Sequence, residues 1–193
     1  MQDLRMPAAW RGSAARWMVT FAGFPLGGFA AHLLAGPVGN AGAALLGGLV
    51  TGAVLGAVQV WGLGRNRPSA GRWVVATAIG FAVGLGAGAA AVDYATDLTA
   101  VLVLGGICGA AVGAAQAVVL RPMLGRWALA WPLLLAVVWT AGWAVSTAIG
   151  VRIEEGFTVF GSSGALLVTA LTAVLPIAIN RTAVRRPATG SAA

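Results

Sequence analysis

Lysine is absent from this 193-residue sequence and acids are scarce, with five Asp and Glu against twelve Arg. Charged residues of every kind make up 9% of the chain. A soluble domain of this length needs roughly a quarter of its residues charged to coat its surface. The shortage excludes a water-facing exterior over most of the molecule and leaves lipid as the surrounding medium. Cysteine and histidine occur once each, as Cys108 and His32. One cysteine excludes an intrachain disulfide, and one histidine excludes a bis-histidine haem site. No dinucleotide fingerprint, phosphate loop, zinc motif or nucleophile elbow occurs, and Ser162-Ser163 has no histidine nearby in sequence. The sequence therefore names no cofactor and no reaction.

What fills the chain instead is apolar: 59% of residues are hydrophobic, and the mean hydropathy is +0.89. Six long apolar runs can be read, at about 17–35, 41–63, 73–92, 98–120, 127–151 and 157–179. Each approaches or exceeds the ~20 residues that cross ~30 Å of hydrocarbon as a helix. Helix is required because lipid cannot satisfy exposed backbone groups. Residues 1–16 are polar and basic and are expected to lie along the membrane surface. The tail from 180 to 193 is basic, then rich in Pro, Ala, Gly and Ser, and is expected to be disordered. The first run lacks a small-residue cleavage pattern, so a cleavable signal peptide is not expected.

The arginines sit in small groups between the runs, which argues for topology determinants and against a nucleic-acid face. With six spans, eleven of the twelve fall on one side, leaving Arg152 alone with Asp93, Asp97, Glu154 and Glu155 on the other. The positive-inside rule then places both termini in the cytoplasm, with the chain in a bacterial cytoplasmic membrane.

A repeat lies within this plan. The second run carries Gly48, Gly52, Gly56 and Gln59, and the fourth carries Gly105, Gly109, Gly113 and Gln116 in the same register. Arg-Trp pairs open the first, third and fifth runs, as Arg16-Trp17, Arg72-Trp73 and Arg126-Trp127. A period of about 55 residues, two helices to the unit, follows. The expected architecture is all-α, six transmembrane helices in three pseudo-repeated hairpins (16–63, 72–120 and 126–179). The third unit has Thr169 and Thr172 where the first two have glutamine. If the hairpins surround a pseudo-threefold axis, the glutamine positions meet at one level and the third place differs.

Glycines four apart share a helix face and let another backbone approach closely. That reading covers the two glycine registers and also Gly80 and Gly84, although 29 glycines produce some such spacings by chance. Gln59 and Gln116 suit either interhelical hydrogen bonds or the lining of a cavity. The Arg-Trp pairs read as interface anchors, indole at the headgroup level with arginine just outside it. Trp139 and Trp143, deep in the fifth run, serve in packing, face lipid, or line a hydrophobic ligand pocket. Pro25 and Pro132 are expected to kink their helices. Asp93 and Asp97 share a face if their segment is helical, and with His32 could form an outward cation or proton site; solvated loop carboxylates are the simpler reading.

The Gly-x3-Gly-x2-Gln segments at 48–59 and 105–116, each followed by arginine, then Arg-Trp and a Gly-rich helix, resemble a loose group of bacterial multi-pass proteins. Those carry repeated Gly-x3-Gly-x2-Gln-Trp-like helices ending in Leu-Arg. The likeness spans 48–88 and 105–143, with Val60 and Ala117 in place of the tryptophan. It implies the repeat architecture and no activity. The size and span plan also look like the substrate-binding membrane subunits of energy-coupling-factor vitamin transporters, a likeness without a motif. The leading expectation is a non-enzymatic transporter component or small-ligand or lipid-binding membrane subunit. Its partners would be membrane lipids, other membrane subunits or a second copy, and no nucleic acid. The alternatives are a structural subunit of a larger complex, including a lipid- or pigment-associated one, and an intramembrane enzyme using the outward carboxylates.

Overall fold

In a computed structural model of the chain, residues 8–150 and 159–185 are described. Every regular element among them is helical: α1 (Ala8–Val19), α2 (Gly23–Ala35), α3 (Ala41–Leu63), α4 (Ala70–Ala91), α5 (Leu98–Leu124), α6 (Trp131–Ala148), α7 (Ser162–Thr172) and α8 (Val174–Arg185). Five helical stretches are long and apolar enough to cross a membrane: Arg11–Ala35, Ala41–Leu63, Ala70–Ala91, Leu98–Ala148 and Ser162–Ala183.

Local chemistry sets the boundaries. Asn40 and Asp97 cap α3 and α5 through their side chains, accepting from the N–H of Ala43 at 3.0 Å and of Ala100 at 3.1 Å. Gly36, Gly64 and Gly125 follow α2, α3 and α5 with φ of +74°, +73° and +58°, a region other residues resist. Prolines account for the breaks. The ring of a proline removes one N–H and crowds the carbonyl four residues back. Pro25 lies just beyond the 3₁₀ turn Thr20–Ala22, Pro132 just beyond the 3₁₀ segment Gly125–Ala130, and Pro176 just beyond the break at Ala173.

The second run is α3, residue for residue. The others shift in instructive ways. The N-terminal segment is helical from Ala8, and Ser13 and Trp17 turn into the bundle. The tail was expected to be disordered from residue 180, but α8 continues to Arg185. Asn180 is held there on both sides, receiving from the Asn66 amide at 2.8 Å and donating to Ser13 Oγ at 2.9 Å. Expectations for Arg5, Arg152, Glu154, Glu155 and the chain beyond 185 concern residues outside those described.

From α2 to α7 each helix packs on its successor, and α1 touches α3, α7 and α8, so the row closes into a ring. The glycine faces make this possible. A Cβ added at Gly52 would stand 2.7 Å from the Ala78 Cα, and one at Gly84 2.8 Å from the Cys108 Cα. Gly48 and Gly56 meet α4 at Ala82 and Val74, and Gly80 meets α5 at Val112. Along α5, Gly105 meets Trp143 and Trp139, Gly109 meets Leu135, and Gly113 meets Pro132. Residue numbers fall on α6 as they rise on α5, so the 51-residue stretch Leu98–Ala148 folds back on itself as an antiparallel pair.

The core is aromatic on one side of the centre. Trp139 packs against Phe81 at 5.0 Å, Phe160 at 5.6 Å and Phe24 at 5.9 Å between ring centroids, the last two edge-on. The exterior is apolar in turn, with Phe29, Leu33, Leu49, Val83, Val118 and Leu133 all exposed. An outside of this kind belongs in lipid.

Candidate functional site

Three of the buried tryptophans donate their indole N–H to a polar side chain on another helix. Trp73 Nε1 donates to Gln59 Oε1 at 3.1 Å, Trp131 Nε1 to Gln116 Oε1 at 2.8 Å, and Trp17 Nε1 to Thr172 Oγ1 at 3.1 Å. An indole can only donate, so the carbonyl end of each glutamine must face it. The amide of Gln116 is thereby directed at Thr77 Oγ1, 3.0 Å away, and at Gln59 Oε1, 3.4 Å away. Thr77 in turn donates a hydrogen bond from its hydroxyl to the Trp73 carbonyl at 2.8 Å. The result is a connected network across α3, α4, α5 and α6, sealed from water. In that setting each paired donor counts for more than it would in solvent.

This network adjoins the Trp17–Thr172 pair across a small central cavity. Gln59, Gln116, Trp131, Trp139, Thr169 and Thr172 are on its wall. It leaves ≈ 10 Å³ for the centre of a water molecule, about the smallest space that one water needs. A vitamin, a headgroup or any other organic ligand does not fit it in this conformation. Of the six residues singled out from sequence as ligand-lining, five share this wall. Trp143 does not; it lies beyond Trp139 against Phe160 and Gly105.

The Arg-Trp pairs separate. Trp17 and Trp73 were expected at the lipid interface, but they are 1% and 0% exposed, because their N–H groups have partners inside. Trp127 is the exposed one, at 71%, with the Arg126 guanidinium 5.4 Å from its ring centre. Its buried counterpart is Trp131, one turn on. Sequence reasoning missed Trp131 and Thr77. The signal was present: Trp73 follows Gln59 by 14 residues and Trp131 follows Gln116 by 15. Arg16 lies over the end of α3 at Gly64, and Arg72 is exposed at the start of α4.

Asp93 and Asp97 do not share a helix face, because α4 ends at Ala91. Asp93 is exposed in a turn at φ +50°, and Asp97 is occupied as the α5 cap. Among the described residues no three His, Cys, Asp or Glu side chains gather as metal ligands. His32 borders a recess of ≈ 250 Å³ with Pro25, Phe29, Phe160 and Ser162.

Two larger concavities open on the outside, near the arginine-bearing ends of the helices. One, ≈ 630 Å³, runs between α4 and α5 past Arg72, Val75, Ile79, Val118 and Pro122. The other, ≈ 740 Å³, runs between α6 and α8 past Trp127, Leu134, Ile177, Ala178 and Arg181. Their walls share a helical spacing, although Arg72 stands where the other groove has Trp127, and Arg181 where the first has Pro122. Residues 72, 75, 76 and 79 line the first as 127, 130, 131 and 134 line the second, and 115, 118, 119 and 122 correspond to 174, 177, 178 and 181. Compared with protein-family models, curated proteins and solved structures, the chain matches none of them.

Proposed function

We propose that this chain is a non-enzymatic protein of the bacterial cytoplasmic membrane, a ligand- or lipid-binding subunit or transport component. In this reading it holds amphipathic molecules in the two outer grooves. The observation that carries it is a feature common to both: apolar walls at helical spacing, open on the outside, with one arginine at the same end of each. An acyl chain suits such walls, and a polar head suits the arginine. The central cavity is too small for this role, and its polar groups bond to one another. The glycine faces are taken up inside the chain, which favours this reading over a scaffold that docks partners on exposed glycine grooves.

A six-span topology in three hairpins accompanies the proposal. The stretch Leu98–Ala148 would be ~76 Å long if straight, over twice the hydrocarbon thickness, and its antiparallel fold supports two crossings. The indole contacts support the repeat. Trp17, Trp73 and Trp131 occupy the first helices of successive units, and Thr172, Gln59 and Gln116 the second helices. With the arginine-rich loops inside, a cysteine introduced near Asp97 reacts with an impermeant maleimide added outside, and one near Arg67 or Arg121 does not. The opposite pattern overturns the topology. Native Cys108 is 1% exposed and contributes no background before denaturation in SDS.

For the grooves, a fatty acid carrying a diazirine on its chain should label the full-length protein in membranes on residues 115–123 and 174–182. These positions are expected to react several-fold more than the exposed apolar face around Leu45 and Leu49. Even labelling of both would sink the assignment.

A further inference from the structure

We infer that the groove between α4 and α5 selects an anionic glycerophospholipid, with Arg72 holding the headgroup phosphate; this rests on the groove reading above. The wall is built for a chain. Val75, Ile79 and Val118 are each more than half exposed, and no protein segment among the described residues covers them. From Arg72 to Ile79 the helix rises ~10 Å, most of the depth of one leaflet's hydrocarbon, so a chain lying along it brings its glycerol end to Arg72. Pro68 and Ser69 close the groove at that end.

Charge decides the class of head. Arg72 is exposed, and both described carboxylates, Asp93 and Asp97, stand at the opposite ends of α4 and α5. The guanidinium therefore has no carboxylate beside it among the described residues to take the place of a phosphate. Arg121 and Arg126 are exposed at the same end and add to the positive field. A planar guanidinium binds two phosphate oxygens side by side. A zwitterionic head brings its own ammonium to that phosphate, whereas a glycerol head does not, so the anionic lipid is favoured. One basic residue at the membrane surface is worth about a fivefold preference.

The test uses phosphatidylglycerol and phosphatidylcholine with identical diazirine-bearing chains, present equally in vesicles that hold the full-length protein. Crosslinks on 115–123 should be enriched in phosphatidylglycerol, and Arg72→Gln should lower that enrichment about fivefold. The ratio on 174–182, in the other groove, should stay as it was. Arg72→Lys should retain the preference in part. Equal amounts of the two lipids on 115–123 of the unaltered protein would overturn selection while leaving the groove as a lipid seat. A fall of the same size in both grooves would overturn the role of Arg72 and point to bulk charge. Labelling that ignores the grooves altogether removes the underlying reading instead.

Discussion

Gly109→Leu should lose the folded bundle in detergent, while Gly12→Leu melts where the unaltered protein does. The side chain at position 109 would be built into the Leu135 carbonyl and the Trp139 Cβ, so α6 must move away as a body. A flexible side chain could step aside, but backbone cannot. Overpacking a tight core costs typically ~1–3 kcal/mol and more where backbone is the obstacle. At roughly 2–4 °C per kcal/mol for a chain of this size, the melting temperature falls by on the order of 10 °C, or the protein leaves size-exclusion chromatography as aggregate. Gly12 has nothing within 4 Å of its added Cβ, so leucine there meets no neighbour. Gly52→Leu belongs with Gly109, its Cβ position lying 2.7 Å from both the Ala78 Cα and the Thr77 carbonyl. Equal melting of Gly12→Leu and Gly109→Leu would mean that the glycine faces line open space.

Gln116→Leu should destabilise the bundle by about 1–2 kcal/mol without changing its size. Leucine is of similar bulk, so the loss is polar: the Trp131 N–H keeps no acceptor, and the contacts to Thr77 and Gln59 disappear. An unpaired buried donor costs ~1–3 kcal/mol in soluble proteins, and interhelical bonds in bilayers average nearer the low end. The informative measurement is a double-mutant cycle with Trp131→Phe. Once the indole N–H is gone, Gln116→Leu should do less harm, by about 1 kcal/mol. Strict additivity of the two changes would show that the 2.8 Å contact contributes nothing of its own.

Much of this was legible because membrane chemistry leaves few choices. The span at 41–63 could be read to the residue, since Asn40 and Gly64 mark its ends as cap and stop. The glycine register with Gln59 and Gln116 pointed at the polar centre, because a small-residue face and an amide on one helix only make sense against another helix. The fate of the Arg-Trp pairs was not legible. Indole is amphipathic, so the same Trp serves at a wet interface or inside with its N–H paired, and only the neighbouring helix decides. Trp73 has Gln59 across from it; Trp127 has none, and Trp131 takes the inner place. For Asp93 and Asp97 the simpler reading, loop carboxylates, fits the end of α4 at Ala91, which carries no strong stop signal in the sequence. The grooves were invisible in sequence, since they arise between helices whose separate faces are ordinary apolar stripes.

The contact between Trp17 and Thr172 joins residues 155 apart in the chain. In a protein made from its N-terminus, the first helix therefore enters the bilayer long before its hydrogen-bond partner has been synthesised. Until α7 arrives, that indole N–H is without the acceptor it has in the folded chain, and the helices already made form an arc with an open edge. The contacts that close the ring therefore form last, once α7 and α8 have been made.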